Sequence, residues 1–482
     1  MAASRRDFLK TAAGLPAMVM AAAMYGDEHR LTDDVEETRL LMRDHVCQFN
    51  MHRYAAPALP TLRVGYIGMG GRGYASMGRL SQMEGVEIKA LCDSVEPQVS
   101  RAVDYLNEAG LPEPAVYTGS EDAWKDLIAR DDLDLVYVTS PQYWHAEMVC
   151  AVMEAGKHAA CEIPLAYTLA DCWKIIQTAE RTKKQCALLE NCCFDFFESM
   201  AINMALQGKL GEVVYGEGAY IHWMNPEALI AGLENLPVPK AGAYRHITAA
   251  TAHGNRYPTH GFGPVALAMR INAGDRPLYL TSTETDDFVW AKAIDQAIQA
   301  GNKHCEEFVG KPFNGNLNVT TMKTAGGKMI QIQYGITSPR PYTRKFILSG
   351  LKGFVQKYPE PSQICLEGGV VLSEEEALRV QEENTPELIK NLRELALRFG
   401  GHGGIDFTCD YQLIDSLRNG LPLNISVYDG VTWSALTPLS LWSATHRSQP
   451  IDYPDFTGGT WKENAPIDLS ARGAMTTKVN PR

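Results

Sequence analysis

A chain of 482 residues, 45% hydrophobic and 21% charged, is long enough for two domains or more, each with a core of its own. Its formal net charge of −12 argues against nucleic acid or an anionic membrane as partner, since both select basic faces. Eleven cysteines make an odd total without a C-x-x-C pair, so neither a zinc site nor a disulfide framework is expected, and no metal ligand set is read. Buried free thiols are the simpler expectation, the adjacent Cys192 and Cys193 included.

The first residues read as an address. Ser4-Arg5-Arg6-Asp7-Phe8-Leu9-Lys10 is a twin-arginine signature, and the apolar stretch from Thr11 to Tyr25 is too short for a stable membrane anchor. Ala21-Ala22-Ala23 offers small residues for a signal peptidase, so residues 1–23 are expected to be removed on export. The mature protein is then periplasmic or secreted, with no membrane anchor. This route carries folded proteins, so a dinucleotide can be loaded before export. Residues 24–61 read as an N-terminal helix (34–53) followed by a linker with Pro57 and Pro60.

Residues 62–191 carry the pattern of a dinucleotide-binding domain. The apolar run Val64, Tyr66, Ile67 leads into Gly68, Gly70 and Gly73, the G-x-G-x-x-G spacing, with Gly71 and Arg72 between the last two. The first glycine permits the tight turn, the second lets backbone approach a pyrophosphate, and the third packs helix on strand. A second apolar run, Val86–Cys92, ends in Asp93, where a carboxylate can bind the adenosine ribose and repel a 2′-phosphate. That pattern selects NAD over NADP; a solvated turn aspartate is the plainer alternative. Strands are expected at 63–68, 86–92, 135–139, 158–161 and 186–190, with helices near 71–82, 97–109, 121–129, 145–155 and 169–183. This is a doubly wound α/β Rossmann domain with a parallel sheet.

From residue 192 to 482 the pattern is that of an α+β domain on a largely antiparallel open sheet, which offers one face to substrate. After a helix at 194–207, a long alternating strand spans 212–222, and others fall at about 278–284, 317–323, 328–336 and 343–349. Residues 374–398 read as one polar helix, and 406–418 and 427–445 return to the body, where part of this C-terminal stretch is expected to pack on the first domain.

Ligands in such sheets lie beyond the carboxyl ends of the strands. Three ends are unusual: Ser140-Pro141-Gln142-Tyr143-Trp144-His145, Cys161-Glu162-Ile163-Pro164, and Glu190-Asn191. Glu190 on an apolar strand is costly unless paired or solvated in a site. In the second domain Tyr257-Pro258-Thr259-His260-Gly261 precedes a helix, and Tyr220 and His222 share a strand. The residues alone leave open whether these histidines and tyrosines are core or catalytic.

Five stretches in consistent order carry a resemblance. They are Glu-Asn-Cys at 190–192, Gly-Ala-Tyr-Ile-His at 218–222, Tyr-Pro-Thr-His-Gly at 257–261, Thr-Ser-Pro-Arg-Pro-Tyr at 337–342 and Gly-His-Gly-Gly at 401–404. With the region from about 62 to 461 around them, they resemble glycoside hydrolase family 109, NAD-dependent α-N-acetylgalactosaminidases of the glucose–fructose oxidoreductase/inositol dehydrogenase superfamily. The resemblance implies a retaining glycosidase in which oxidation at sugar carbon 3 acidifies the proton on carbon 2. The aglycone is eliminated, water adds, and the hydride returns with no net redox, so NAD can stay bound. It implies NAD contacts at Gly71, Arg72, Asp93, Gln142, Tyr143, Trp144, His145, Glu162 and Asn191, beside the fingerprint glycines Gly68 and Gly70. It implies sugar contacts at Glu190, Tyr220, Arg245, Tyr257, His260 and Tyr342, with His260 and Tyr220 handling protons and Glu190 orienting or assisting.

The expected partner is a small-molecule or glycan-terminal sugar. The superfamily commonly pairs subunits through the second-domain sheet, so a homo-oligomer is expected. Ordinary sugar dehydrogenases of the superfamily carry Glu-Lys-Pro, whose lysine serves the hydride-transfer hydroxyl; here the triplet is Glu162-Ile163-Pro164. Isoleucine is neither acid nor base, which weighs against the alternative of a plain NAD-dependent sugar oxidoreductase. A non-catalytic sugar- or NAD-binding protein is the third reading.

Overall fold

Strands β1 (Leu62–Ile67), β2 (Val86–Cys92), β3 (Ala115–Tyr117), β4 (Leu135–Val138), β5 (His158–Cys161) and β6 (Cys186–Leu188) form a parallel sheet in the order β3-β2-β1-β4-β5-β6. The computed structural model describes residues 45–233, 241–470 and 475–480, and of residues 241–245 the backbone alone. β4, β5 and β6 are buried at every position, as strands covered on both faces must be. The order reverses between β1 and β4, which places a crevice beyond the ends of those two strands.

The second sheet has nine strands. β7 (Val213–Ile221), β8 (Pro277–Glu284), β9 (Asn318–Thr324), β10 (Met329–Gly335), β11 (Ile347–Gly350), β12 (Phe354–Gln356), β13 (Gln363–Leu366), β14 (Val370–Val371) and β15 (Ile451–Asp452) run in the order β14-β13-β12-β11-β7-β10-β9-β8-β15. The sheet is antiparallel except for the parallel pair β7–β10.

Two late helices join the sheets. Val427–Thr445 is buried along most of its length and packs on both Leu169–Thr182 and β8; its N-terminus is closed by a Ser426–Asp429 capping box. Ile405–Asn419 lies against Gly71–Leu80, the helix that follows the glycine turn. There the buried Arg79 donates to Asp410 at 2.7 Å, and the hydroxyl of Tyr137 on β4 donates to the other carboxylate oxygen at 3.3 Å. Asp415, one turn further along, accepts the backbone N–H groups of Met475, Thr476 and Thr477, and Val479 bridges to Met83.

The signal segment and most of the helix expected at 34–53 lie outside the described residues. Residues 45–53 are not helical. The backbone N–H groups of Gln48 and Met51 are taken by the Glu180 carboxylate and the Tyr428 hydroxyl, so they are lost to a helical ladder. The expected helix at 374–398 is two, Glu374–Asn384 and Glu387–Phe399, because Pro386 lacks a donor and forces Thr385 out of helical geometry. β11 begins at Ile347 rather than 343, since Lys345 and Phe346 take positive φ and break the strand. The strands β3, β12, β13, β14 and β15 and the helices Pro226–Ala231, Ala241–Ala250 and Trp290–Gln299 add to the expected elements.

The Arg79–Asp410 pair is the buried ionic tie between the first domain and a C-terminal helix. Arg79→Met strands a carboxylate away from water and is expected to cost about 3–5 kcal/mol by chemical denaturation, much of it restored by the double replacement with Asp410→Leu.

Candidate active site

The glycine turn fits a dinucleotide by its own sterics. Gly68 has φ +95°, and a Cβ there would lie 2.7 Å from the Thr139 backbone; one on Gly73 would lie 2.0 Å from the Gly68 carbonyl oxygen. These two glycines let β1, β4 and the helix Gly71–Leu80 close on one another. Gly70 and Gly71 have no neighbouring atom within 4 Å of a Cβ position, which leaves an open cradle at a helix N-terminus suited to phosphate. At the end of β2, Asp93 accepts the N–H groups of Met69 at 2.7 Å and Val95 at 2.9 Å, which holds its carboxylate beside the turn. Burial pushes this carboxyl upward against the opposing pull of those two N–H groups.

On the other side of the switch point, four charged or amide side chains form one cluster. Arg72 donates to Glu162 at 2.8 Å and to Asp406 at 2.9 Å, and Asn191 donates to the second oxygen of Asp406. Burial works against the charge of Arg72, but the two carboxylates outweigh it and raise its pKa. Gln142, Tyr143 and Trp144 form a 3-10 turn after β4. His145 is fully buried, its Nδ1 2.6 Å from the Pro164 carbonyl and its Nε2 2.9 Å from that of Ser140. It therefore braces the loop walls, while Gln142–Trp144 form the turn they support.

The residues expected to contact the sugar converge from both domains. Glu190, at the end of the β6 segment, has no exposed side-chain surface and accepts from the Cys192 N–H at 3.0 Å. His260, in the first turn of the helix Thr259–Ala268, brings Nδ1 to 2.7 and 3.0 Å from the two Glu190 oxygens. Burial raises the Glu190 carboxyl, yet the imidazole beside it and the hydrogen bonds it accepts hold it below the usual range.

Tyr220 reaches this pair because β7 and that helix touch through glycine. A Cβ on Gly218 would lie 2.0 Å from the Gly261 carbonyl oxygen, and one on Gly261 2.5 Å from the Ala219 nitrogen. The Tyr220 ring then lies 4.4 Å from Tyr257 and 5.6 Å from His260 by centroids, and its hydroxyl is 2.8 Å from His222 Nδ1. Tyr342 closes the ring of aromatics at 5.1 Å from His222 and 6.3 Å from Tyr220. Burial lowers the His222 pKa first, and the nearby His260 and His402 lower it further. Arg245 has its backbone in the helix Ala241–Ala250, and its side chain lies outside the described residues.

Several groups at this site stand outside the expected set. Behind Tyr342 the buried Arg344 donates to Asp195 at 2.9 Å, to Glu198 at 2.7 Å and to the Tyr342 hydroxyl at 3.3 Å, while Lys357 donates to Glu198 at 2.8 Å. The sign available in the sequence is charge at positions whose neighbours are apolar, such as Asp195 between Phe194 and Phe196. His402 lies within the glycine-rich run at 400–404, and Asp406 two residues beyond it. Glu190, Cys192 and His260 place ligand-type atoms within 4.8 Å of one another. Burial pushes the Cys192 thiol up, and the thiol donates to Asn191, while Glu190 accepts the Cys192 backbone N–H and contacts His260. All eleven cysteines are free thiols, nine of them buried.

A glycine cradle for NAD, with a carboxylate–imidazole pair among tyrosines in the same molecule, marks a dinucleotide-dependent enzyme. The comparisons give the family. Residues 62–189 match the model described as oxidoreductase family, NAD-binding Rossmann fold, and residues 197–463 match glycosyl hydrolase 109, C-terminal domain. A glycosyl hydrolase family 109 protein of Porphyromonas gingivalis is 40% identical over 429 residues, covering 86% of this chain and 88% of its own. One from Shewanella pealeana is 36% identical over 478 residues, 97% of this chain and 99% of its own. The chain belongs to glycosyl hydrolase family 109, and its cofactor is NAD.

Among solved structures, a scyllo-inositol dehydrogenase from Lactobacillus casei aligns with TM-score 0.56 at 15% identity, covering 83% of this chain and all of its own. A levoglucosan dehydrogenase in complex with NADH and L-sorbose aligns at 0.57 and 16%, covering 82% of this chain and 100% of its own. These share the fold.

Gly73→Ala places a methyl against the Gly68 carbonyl and is expected to abolish NAD binding in equilibrium titration. Asp93→Ala is expected to narrow the preference for NAD over NADP by about tenfold or more in the same titration; an unchanged ratio would remove Asp93 from that role.

Proposed function

We propose that this enzyme hydrolyses terminal N-acetylgalactosaminides, or closely related hexosides, with retention, by an elimination and addition assisted by tightly bound NAD. The observation that carries the reading is the Glu190–His260 pair, set among Tyr220, Tyr257 and Tyr342, with the adjacent Asn191 joined through Asp406 to Arg72 beside the glycine cradle. Family membership supports the reaction class. When bound, NAD supplies reversible hydride acceptance from sugar carbon 3, so no net redox results.

The chain's own residues supply the proton chemistry. Glu190 accepts the Nδ1 proton of His260, which fixes the ring and presents Nε2 as a base toward the sugar. Tyr220, its hydroxyl held by His222, is a second proton carrier and a donor to an enolate-like oxygen. Tyr342, held by Arg344, and the face of Tyr257 position the ring. Ile163, in the triplet where a lysine would serve a dehydrogenase, is 3% exposed and carries no proton.

The same proposal places the mature enzyme outside the cytoplasm, exported folded by the Arg5-Arg6 signal. Among the described residues, no helix is long and apolar enough to cross a membrane. We also propose a homo-oligomer through the second-domain sheet, where Tyr215, Glu217, Gln331 and Gln333 form one hydrogen-bonded, part-exposed patch.

Protein purified without added cofactor and given p-nitrophenyl α- and β-glycosides, N-acetylgalactosaminides included, tests the reading. Nitrophenolate release over many turnovers without net NADH is expected. NADH formed from free sugar and added NAD, with no aglycone release, would make the protein an oxidoreductase, the alternative that its fold neighbours keep in view. His260→Ala and Glu190→Gln are each expected to lower kcat by about 10²–10⁴-fold, and unchanged turnover in both would remove the pair from the chemistry.

A further inference from the structure

The run Gly400-Gly401-His402-Gly403-Gly404 has five successive positive φ values: 67°, 75°, 49°, 73° and 100°. Four are glycine, which takes this conformation freely; His402 alone bears a side chain, at a cost the backbone would escape with a fifth glycine. The imidazole is not hidden to compensate, since its side chain is 63% exposed. His402 is thus the one side chain the run presents, and it is exposed.

Its surroundings say where. His402 Nδ1 lies 3.0 Å from Asp406 and 3.4 Å from Arg72 Nη1. Asp406 also accepts from Arg72 and from Asn191, and Arg72 accounts for Glu162 as well. The pKa of Asp406 is driven well down: burial opposes this, but His402, Arg72 and Asn191 together outweigh it. Arg72 springs from the first turn beyond the open cradle at Gly70 and Gly71, and Glu162 from the end of β5, two strands past β1 on the side away from Asp93. Since Asp93 marks the adenosine side, this cluster flanks the other half of the dinucleotide. His402 is also within electrostatic reach of His222.

We propose that His402, oriented by Asp406, binds the nicotinamide-side half of NAD and retains the cofactor between turnovers. Asp406 fixes Nδ1, and Nε2 is the remaining polar atom of an exposed ring carried by the second domain over the edge of the first. The latch is thereby tied to both domains through the Arg72–Asp406 ion pair. This rests on the reading that NAD stays bound through a redox-neutral cycle, which is where a latch contributed by the second domain has value.

The test is the dissociation rate of NAD from full-length protein reloaded with NAD, followed by trapping the released dinucleotide, with no sugar present. His402→Gly removes the ring while relieving the backbone, so the variant is expected to unfold, cofactor-free, at the wild-type temperature or above. Its NAD dissociation is expected to be about tenfold faster, as the loss of one charge-assisted hydrogen bond gives. His402→Asn, which tolerates the same φ and keeps a polar tip, is expected to recover part of the difference; Asp406→Asn is expected to accelerate release as well. A wild-type dissociation rate in His402→Gly, with raised thermal stability, would overturn the proposal and leave His402 as a strained loop residue. Rapid NAD loss from the wild type itself would overturn the retained-cofactor reading instead, while the ratio between the two proteins still decides the role of His402.

Discussion

A carboxylate with no exposed surface must find a partner, and Glu190 finds it in the other domain. The segment after β6 delivers the carboxylate and the first turn of Thr259–Ala268 delivers the imidazole. The carboxylate is not stable alone in that environment, because an unpaired buried charge costs several kcal/mol. The contact therefore does two things with the same atoms. It fixes how the second domain sits at the strand ends of the first, and it orients the ring of His260.

Much of the remaining architecture serves that placement. Gly218 against Gly261 removes two side chains so that β7 and the helix can touch, which brings Tyr220 and Tyr257 over the pair. Arg344, Asp195, Glu198 and Lys357 form a buried, mutually compensated group behind Tyr342. Burial pushes the Glu198 carboxyl up to about 7 even so, a sign of how little solvent reaches this group. On the cofactor side, Arg79–Asp410 and Arg72–Asp406 tie one C-terminal helix to the helix that cradles phosphate. The glycine cradle and the Glu190–His260 pair thus share their scaffolding.

The first domain was legible because its rules are local. The glycine spacing, the apolar runs of β1, β2 and β4, and Asp93 at a strand end all state their role within a few neighbours. The second sheet was legible in its long strands, since alternation over seven to nine residues survives in β7, β9 and β10. The two- to four-residue strands β12–β15 carry too few positions for a period, and the parallel β7–β10 pairing depends on which strands meet, a property no single segment contains. Among site residues, Glu190 was marked by its cost on an apolar strand. His260, Tyr220 and Tyr342 took meaning only from family motifs, because their convergence needs the Gly218–Gly261 contact. Asp406 and Arg344 were not read, since their charged partners Arg72, Asp195 and Glu198 lie well over a hundred residues away, and each then looks like any surface charge.

The central claim is that proton chemistry at sugar carbon 2, served by the Glu190–His260 pair, underlies hydrolysis. Turnover of a p-nitrophenyl N-acetylgalactosaminide in D₂O, with mass and NMR analysis of the released sugar, tests it most directly. Deuterium at carbon 2 of the product, at a level matching turnover, is the expected result. Product carrying no deuterium at carbon 2, together with no primary isotope effect on turnover of the carbon-2-deuterated substrate, would mean that this bond is not broken, and the elimination–addition route would be wrong.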